Sequence, residues 1–143
     1  MPSNRLSDQL AYIVASVNRQ LEEELQERLR PEGVPIEHLR VLEALDRGGM
    51  VPMGELAAQA LVEPPTLTKI IDRMVSESLV FRSPDPNDRR RVLILLAPAG
   101  KVLCKRLRRV SREQEERLVR QLPRDKANEL RNLLRELIQP YGG

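Results

Sequence analysis

The side chains with the clearest chemical potential are hydroxyls and basic groups that follow two adjacent prolines near the middle of the chain. The segment reads PPTLTKIIDR, and its prolines, hydroxyls and cations are Pro64, Pro65, Thr66, Thr68, Lys69 and Arg73. Hydroxyl, ammonium and guanidinium groups can bond to the phosphate oxygens and base edges of a nucleic acid. An ordinary solvent-exposed helix face has a similar composition, so this segment alone does not decide between the two interpretations.

A second group of charges lies at residues 84–91, in the run PDPNDRRR. Asp88 stands two positions before Arg90, and Arg89 and Arg91 flank that arginine. The carboxylate of Asp88 can accept hydrogen bonds from the loop or from the guanidinium of Arg90, which would aim that side chain at a DNA minor groove. Charges on a short exposed hairpin can also serve only to prevent edge-to-edge aggregation. Because the polar segment lies directly upstream, we favour DNA binding.

The pattern of apolar residues predicts the elements that position these two groups. Apolar positions at helical spacing predict helices, and two short β-prone runs on either side of a turn-rich segment predict a β-hairpin. The predicted helices cover about residues 8–30, 36–45, 53–61, 64–78, 98–122 and 127–138, and the predicted strands cover residues 79–83 and 91–97. The predicted fold class is therefore mainly α with a small β-hairpin.

A helix-turn-helix followed by a β-hairpin is the winged variant of a DNA-binding motif, in which the second helix of the pair enters the major groove. The helix at residues 64–78 is then the recognition helix, and the hairpin is the wing. The apolar positions of this helix are expected to face inward and leave the polar ones for DNA. These inward positions are Leu67, Ile70, Ile71 and Met74.

Both ends of the chain carry long amphipathic helices whose apolar stripes are longer than a small central domain can cover. Operators for proteins of this kind repeat across a two-fold axis, and the terminal helices offer a surface that could build that axis. We therefore expect a single domain over residues 1–143. Its winged helix-turn-helix region is expected at about residues 36–98, and its helical dimerisation region at about residues 6–30 and 99–141.

Composition limits the classes of function. The chain has 143 residues and a formal net charge of +3, which suits one domain and permits a polyanionic partner. The single cysteine, Cys104, and the single histidine, His38, exclude an internal disulfide and a metal site built from several such ligands. We find no catalytic constellation, phosphate-binding loop, signal peptide or membrane-length apolar run. We expect a cytoplasmic protein that is not an enzyme and needs no metal or cofactor.

The segment ELAAQALVEPPTLTKIIDRMVSESLVFRSPDPNDRRRVLILLAPAG, residues 55–100, resembles the MarR (multiple antibiotic resistance regulator) family. The Asp-x-Arg sequence of the wing, at a fixed distance from a glycine, is the most specific part of the match. The matching positions are Leu56, Ala57, Thr66, Thr68, Lys69, Asp72, Arg73, Leu79, Val80, Arg82, Asp85, Asp88, Arg90, Leu96 and Gly100. Ser78 stands where the family usually has Gly, and Ala97 where it usually has Thr, so the backbone turn at Ser78 is an open question.

The resemblance implies a homodimeric transcriptional regulator, a repressor that binds a palindromic double-stranded operator and leaves it when a small molecule binds. It also implies an effector that is often an aromatic acid, a phenol or a related metabolite. We expect this effector in a cleft between the first two long helices and the start of the penultimate helix, with Tyr12, Ser16 and His38 as polar contacts. Alternatively, these three side chains face solvent or fill the dimer core.

Two further alternatives remain open. A winged-helix module could dock another protein through its helical ends and bind no DNA, although Asp88 and Arg90 argue against this. Cys104 could sense peroxide, as the cysteines of some members of the family do. It has no second cysteine to pair with, and we favour a packing role for it.

Overall fold

The computed structural model describes residues 5–138, so residues 139–141 of the predicted dimerisation region lie outside the described part. Within residues 5–138 the chain forms six α-helices and a three-stranded antiparallel sheet. The helices are α1 (Leu10–Leu29), α2 (Ile36–Gly48), α3 (Met53–Gln59), α4 (Pro64–Ser76), α5 (Pro98–Arg120) and α6 (Lys126–Glu136). The strands are β1 (Val51–Pro52), β2 (Val80–Asp85) and β3 (Asp88–Leu96). The predicted fold class is confirmed.

The helix-turn-helix consists of α3 and α4, and the packing of α4 follows the prediction. Pro64 and Pro65 lie in the first turn of α4, where the missing N–H groups leave no intrahelical hydrogen bond unmade. All four residues predicted to face inward are buried: Leu67, Ile70, Ile71 and Met74. One face of α4 therefore packs on the core, and the face with the hydroxyls and cations lies outside.

The turn that ends α4 keeps a left-handed conformation although it has no glycine. Ser78 has a φ of 61°. Its N–H donates to the carbonyl of Val75 at 3.0 Å, and the N–H of Leu79 donates to the carbonyl of Met74 at 2.9 Å. These bonds satisfy carbonyls in the last turn of the helix. A side chain in this conformation costs about 1–2 kcal/mol, so Ser78 preserves the tight connection to β2 at that cost.

The wing is longer, and its turn tighter, than the sequence predicts. Asp85 pairs with Asp88 across the hairpin, so two residues remain in the turn, whereas the prediction left residues 84–90 between the strands. The carboxylate of Asp85 accepts a hydrogen bond from the N–H of Asn87 at 2.9 Å. This local contact closes the turn and lets the flanking residues join the ladder. The sheet also contains β1, which is too short to show a periodicity that could predict it.

Gly100 allows the start of α5 to pass close to the chain that enters the wing. A Cβ atom at this position would lie 2.1 Å from the carbonyl oxygen of Leu79. The same carbonyl accepts a hydrogen bond from the N–H of Ala97 at 2.9 Å, so it cannot move away without losing that bond. The fixed spacing between the wing and this glycine therefore reflects a close backbone contact.

Cys104 is packed inside the protein. Its side chain is buried, and Sγ lies 3.5 Å from the carbonyl oxygen of Leu42. Burial raises the pKa of Cys104 to about 11, so the reactive thiolate is scarce at neutral pH. This environment favours the packing interpretation over the redox one.

The terminal helices contribute little to the core of a single chain. Leu29 is the one buried residue of α1, and α6 has none within the described residues. Their exposed apolar side chains include Leu10, Ile13, Val14, Val17, Leu130, Leu133 and Leu134. Exposed apolar surface of this extent is typical of an interface with another protein surface.

Candidate nucleic-acid interface

The start of α4 presents groups that suit a phosphate. Glu63, the residue before the helix, makes no side-chain capping bond, and the first turn holds no acidic residue. Because Pro64 and Pro65 have no N–H, the half-buried Thr66 carries the first backbone donor of the helix, at the positive end of its dipole. Anions bind favourably at such helix starts.

The predicted contact residues on the exposed face of α4 differ in whether their polar groups already have a partner within the protein. Thr68 is exposed, and its hydroxyl donates to the carbonyl of Pro64 at 3.1 Å, so its oxygen lone pairs remain for another partner. The guanidinium of Arg73 donates to the carboxylate of Glu77, one turn later, at 2.8 Å. Lys69 is exposed and has no carboxylate within salt-bridge distance among residues 5–138. Lys69 is therefore the more available cation of this face.

At the wing tip the structure decides between the two contacts that the sequence allows for Asp88. Its Oδ1 accepts a hydrogen bond from the backbone N–H of Arg90 at 3.0 Å. The carboxylate therefore shapes the backbone that carries Arg90, while the side chain of Arg90 stays exposed. Asp88 therefore positions Arg90 through a hydrogen bond to its backbone and not through its guanidinium.

The three wing arginines differ in their surroundings. Side chains alternate across a strand, so Arg90 lies on the opposite face of β3 from Arg89 and Arg91. Arg91 lies 3.4 Å from a carboxylate oxygen of Glu55 in α3 and 3.8 Å from one of Asp85. In the described part of the chain, Arg89 and Arg90 have no such partner. A phosphate at Arg91 would therefore compete with two carboxylates.

An ion pair that the sequence does not predict joins the recognition helix to the wing. Arg82 of β2 donates to the carboxylate of Asp72 in α4. Arg91 and Glu55 form a second link, from β3 to α3. The wing is thus tied by opposite charges to both helices of the helix-turn-helix. The charges themselves are visible in the sequence, but nothing in its periodicity pairs them.

Four arginines of α5 are in a different electrostatic state from Lys69, Arg89 and Arg90. Several guanidiniums in the middle of α5 lie within salt-bridge distance of a carboxylate: Arg106, Arg108, Arg109 and Arg112. Lys69, Arg89 and Arg90 have no such neighbour within residues 5–138. Unpaired cations attract a polyanion more strongly than neutralised ones. The start of α4 and the wing tip are therefore the candidate nucleic-acid interface.

A cleft of about 870 Å³ lies between α1, α2 and the second half of α5. The sequence predicts an effector site between the same helices, but at the start of α5. Tyr12, Ser16 and His38 are not among the residues that line it. The hydroxyl of Ser16 donates to the carbonyl of Tyr12 at 2.8 Å, within α1 and before Leu21, the first residue of the lining. Tyr12 and Ser16 therefore lie earlier on α1 than the residues that line the cleft.

His38 lies near the recognition helix and not at the cleft. Burial, followed by the positive charge of Arg73, lowers the pKa of His38, and the charge of Glu77 acts in the opposite direction. Both charged neighbours belong to the end of α4 and its cap. Within one chain, the structure therefore does not bring together the three effector contacts expected from the sequence.

Residues 5–138 contain neither a candidate membrane span nor a candidate metal-binding cluster. None of the helices in this range combines the length and apolar character needed to cross a membrane. The same residues contain no group of three or more His, Cys, Asp or Glu side chains that could hold a metal ion.

Comparisons with known proteins agree with these features. The MarR family profile matches residues 34–92. The chain is 33% identical over 137 residues to an HTH-type transcriptional regulator of Mycobacterium leprae, with 94% of this chain and 93% of that protein covered. It is 28% identical over 130 residues to the multiple antibiotic resistance protein MarR of Escherichia coli (strain K12), with 90% of each covered.

A solved structure extends the similarity to the fold. A mutant MarR from E. coli complexed with operator DNA superposes with a TM-score of 0.81 at 26% identity, over 96% of this chain and 100% of that one. The winged helix-turn-helix, the flanking helices and the sequence similarity over nearly the whole length lead to one conclusion. The chain belongs to the MarR family.

Proposed function

We propose that this protein is a homodimeric, DNA-binding transcriptional repressor that reads a palindromic operator and releases it when a small molecule binds. The observation that carries the proposal is the set of unpaired cations, Lys69, Arg89 and Arg90, on the recognition helix and the wing. An HTH places its second helix in the major groove, and the wing extends the contact along the duplex. The relative from E. coli that forms a complex with operator DNA has the same fold.

The rival function, a winged-helix module that binds a protein and no DNA, gives no reason for these cations. A protein-docking wing would keep its charges neutralised, as those of Arg108 and Arg109 on α5 are. The relatives are transcriptional regulators or repressors by name. We therefore assign the cations to DNA and propose no enzymatic activity.

Lys69→Ala is expected to weaken operator binding about tenfold, because it removes an unpaired cation that faces the groove. Lys105→Ala is the matched control, since it removes the same side chain from an exposed position on α5. Both variants would be titrated by fluorescence anisotropy against DNA taken from upstream of the gene. Equal affinities for the two variants would contradict the placement of α4 in the groove.

The proposed dimer rests on the exposed apolar faces of α1 and α6. Leu133 of α6 is 55% exposed in the single chain. Leu133→Asp is expected to convert a dimer to a monomer, because a carboxylate buried in an apolar interface without a partner costs several kcal/mol. Static light scattering at micromolar concentration would measure the mass. Asn132→Asp, which adds the same charge to the neighbouring exposed position, should remain dimeric. A wild-type monomer would refute the dimer.

We place the effector in the cleft between α1, α2 and α5, because this cleft lies between the terminal helices and the DNA-binding region. A ligand there could change the orientation of α2, which packs against α3. Release of DNA requires that the ligand bind the DNA-free conformation more tightly than the DNA-bound one. The roles expected for Tyr12, Ser16 and His38 stay predictions, as do the proposed boundaries of the two regions.

A further inference from the structure

The cleft between α1, α2 and α5 has an apolar wall and a charged wall. The apolar wall consists of Leu21, Leu25, Ile36, Leu39 and Leu118. The charged wall is built from the exposed sides of α2 and α5. A cavity of this volume with one apolar side suits an amphipathic organic molecule. The charges on the other wall then determine whether a positively or a negatively charged molecule binds more favourably.

Most of the guanidiniums on the charged wall already form ion pairs with carboxylates of the protein. Arg108 donates through two nitrogens to both carboxylate oxygens of Asp46, at 2.8 Å and 2.9 Å. Arg40 donates to Glu22 at 3.1 Å. An anionic ligand at either guanidinium would have to displace a carboxylate of the protein. Anion binding at these two positions therefore replaces one ion pair with another and gains little.

Unlike the other carboxylates of the charged wall, Glu43 forms no ion pair within residues 5–138. It is half-buried and accepts a hydrogen bond from the hydroxyl of Ser111 at 3.3 Å. No guanidinium or ammonium group lies within salt-bridge distance of it in residues 5–138. Burial raises the pKa of Glu43, while the Ser111 hydrogen bond and the charges of Arg47 and Arg40 act in the opposite direction. A partly desolvated carboxylate without a counter-ion gains free energy when a cation reaches it.

Arg47 is the lining guanidinium without an ion pair among the described residues, and it could attract an anion instead. It is exposed, however, so water and salt screen its charge. Glu43 is less exposed than Arg47, so its charge is screened less. The part of the cleft next to Glu43 therefore favours positive charge.

We propose that the cleft binds a lipophilic organic cation, with Glu43 as its counter-ion and the leucine and isoleucine wall as its apolar contact. The inference deepens the proposed function, on which it rests, by naming the chemical class of the effector. It departs from the aromatic acid that the family resemblance implies, because a ligand carboxylate would meet the charge of Glu43. A quaternary ammonium or phosphonium group, which cannot lose its charge, is the simplest representative of the class.

Two ions of the same shape and opposite charge test this inference: tetraphenylphosphonium and tetraphenylborate. Isothermal titration calorimetry would measure the binding of each ion to the full-length, DNA-free protein. The cation is expected to bind at least about tenfold more tightly than the anion, and Glu43→Gln is expected to remove about that factor. The glutamine keeps the size of the side chain and an oxygen that accepts from Ser111.

Glu116→Gln is the matched control, because Glu116 lines the same cleft but lies 3.9 Å from Arg112. It is expected to change the affinity for the cation less than twofold. Equal affinity for the two ions, no binding of either, or equal losses in the two variants would overturn the inference.

Operator binding without either ion would be measured in a separate titration, so the two proposals can fail independently. Intact operator binding without a preference for the cation overturns the cation site alone. A cation preference that depends on Glu43, in a protein that does not bind its upstream DNA, overturns the proposed function alone.

Discussion

Arg90→Ala is expected to weaken operator binding about ten- to hundredfold, and more than Arg89→Ala does. Arg90 is exposed, has no carboxylate partner within residues 5–138, and is carried by backbone that Asp88 holds. Arg89 is equally charged but lies on the opposite face of β3. Anisotropy titrations at two salt concentrations, with A·T-rich and G·C-rich flanks, would measure the losses. The loss for Arg90→Ala should be larger with A·T-rich flanks, whose narrow minor groove has the stronger negative potential.

Two substitutions at Asp88 distinguish two ways in which it could affect DNA binding: through its hydrogen bond to the backbone of Arg90, or through its negative charge. Asp88→Asn keeps an oxygen that can accept from the N–H of Arg90, whereas Asp88→Ala removes the acceptor. We therefore expect Asp88→Ala to weaken operator binding and Asp88→Asn to retain most of it. If the wing acts through net charge alone, both substitutions should tighten binding equally. That result, or equal losses for Arg89→Ala and Arg90→Ala, would contradict the proposed role of the wing tip.

Gly100→Ala is expected to lower the free energy of unfolding by about 3 kcal/mol or more, because the new methyl group meets backbone. Its Cβ would lie 2.1 Å from the carbonyl oxygen of Leu79 and 3.1 Å from a side-chain carbon of Leu96. To relieve the contact, the start of α5 must move away from β2. This movement breaks the hydrogen bond from the N–H of Ala97 to the same carbonyl. Urea unfolding followed by circular dichroism would measure the change.

Gly54→Ala is the matched control for this substitution. Gly54 lies in α3, and a Cβ there would have no neighbouring heavy atom within 4 Å. In open space on a helix, alanine is favoured over glycine by about 0.5–1 kcal/mol. Gly54→Ala should therefore stabilise the protein slightly, and a similar loss of stability in both variants would show that the close contact at Gly100 is unimportant.

Features that depend on neighbours in the chain could be predicted from the sequence. The spacing of Leu67, Ile70, Ile71 and Met74 identifies the buried face of α4, because helical periodicity relates residues three and four apart. The hairpin was predicted from two β-prone runs and a turn-rich segment, although its strands proved longer. The contact of Asp88 with Arg90 was foreseen as one of two choices, since it spans two residues.

Features that join distant elements could not be predicted in this way. Asp72 and Arg82 are ten positions apart, and Glu55 and Arg91 are 36 positions apart. Their pairing depends on how β2 and β3 pack against the helix-turn-helix. The same holds for β1, whose two residues acquire strand geometry only because β3 lies beside them. A sequence pattern contains no information on these distances.

The cleft between α1, α2 and α5 shows this difference most clearly. The family resemblance implied a cleft between the first two long helices and the start of the penultimate helix. Which residues line it depends on the angles and offsets at which the three helices cross, and these result from side-chain packing in three dimensions. Sequence alone therefore determined the family, the order of the elements and the candidate cations for DNA contact. The tertiary structure decided that Glu43, and not His38, lies in the cleft, because residues of different helices are brought together only when the core packs.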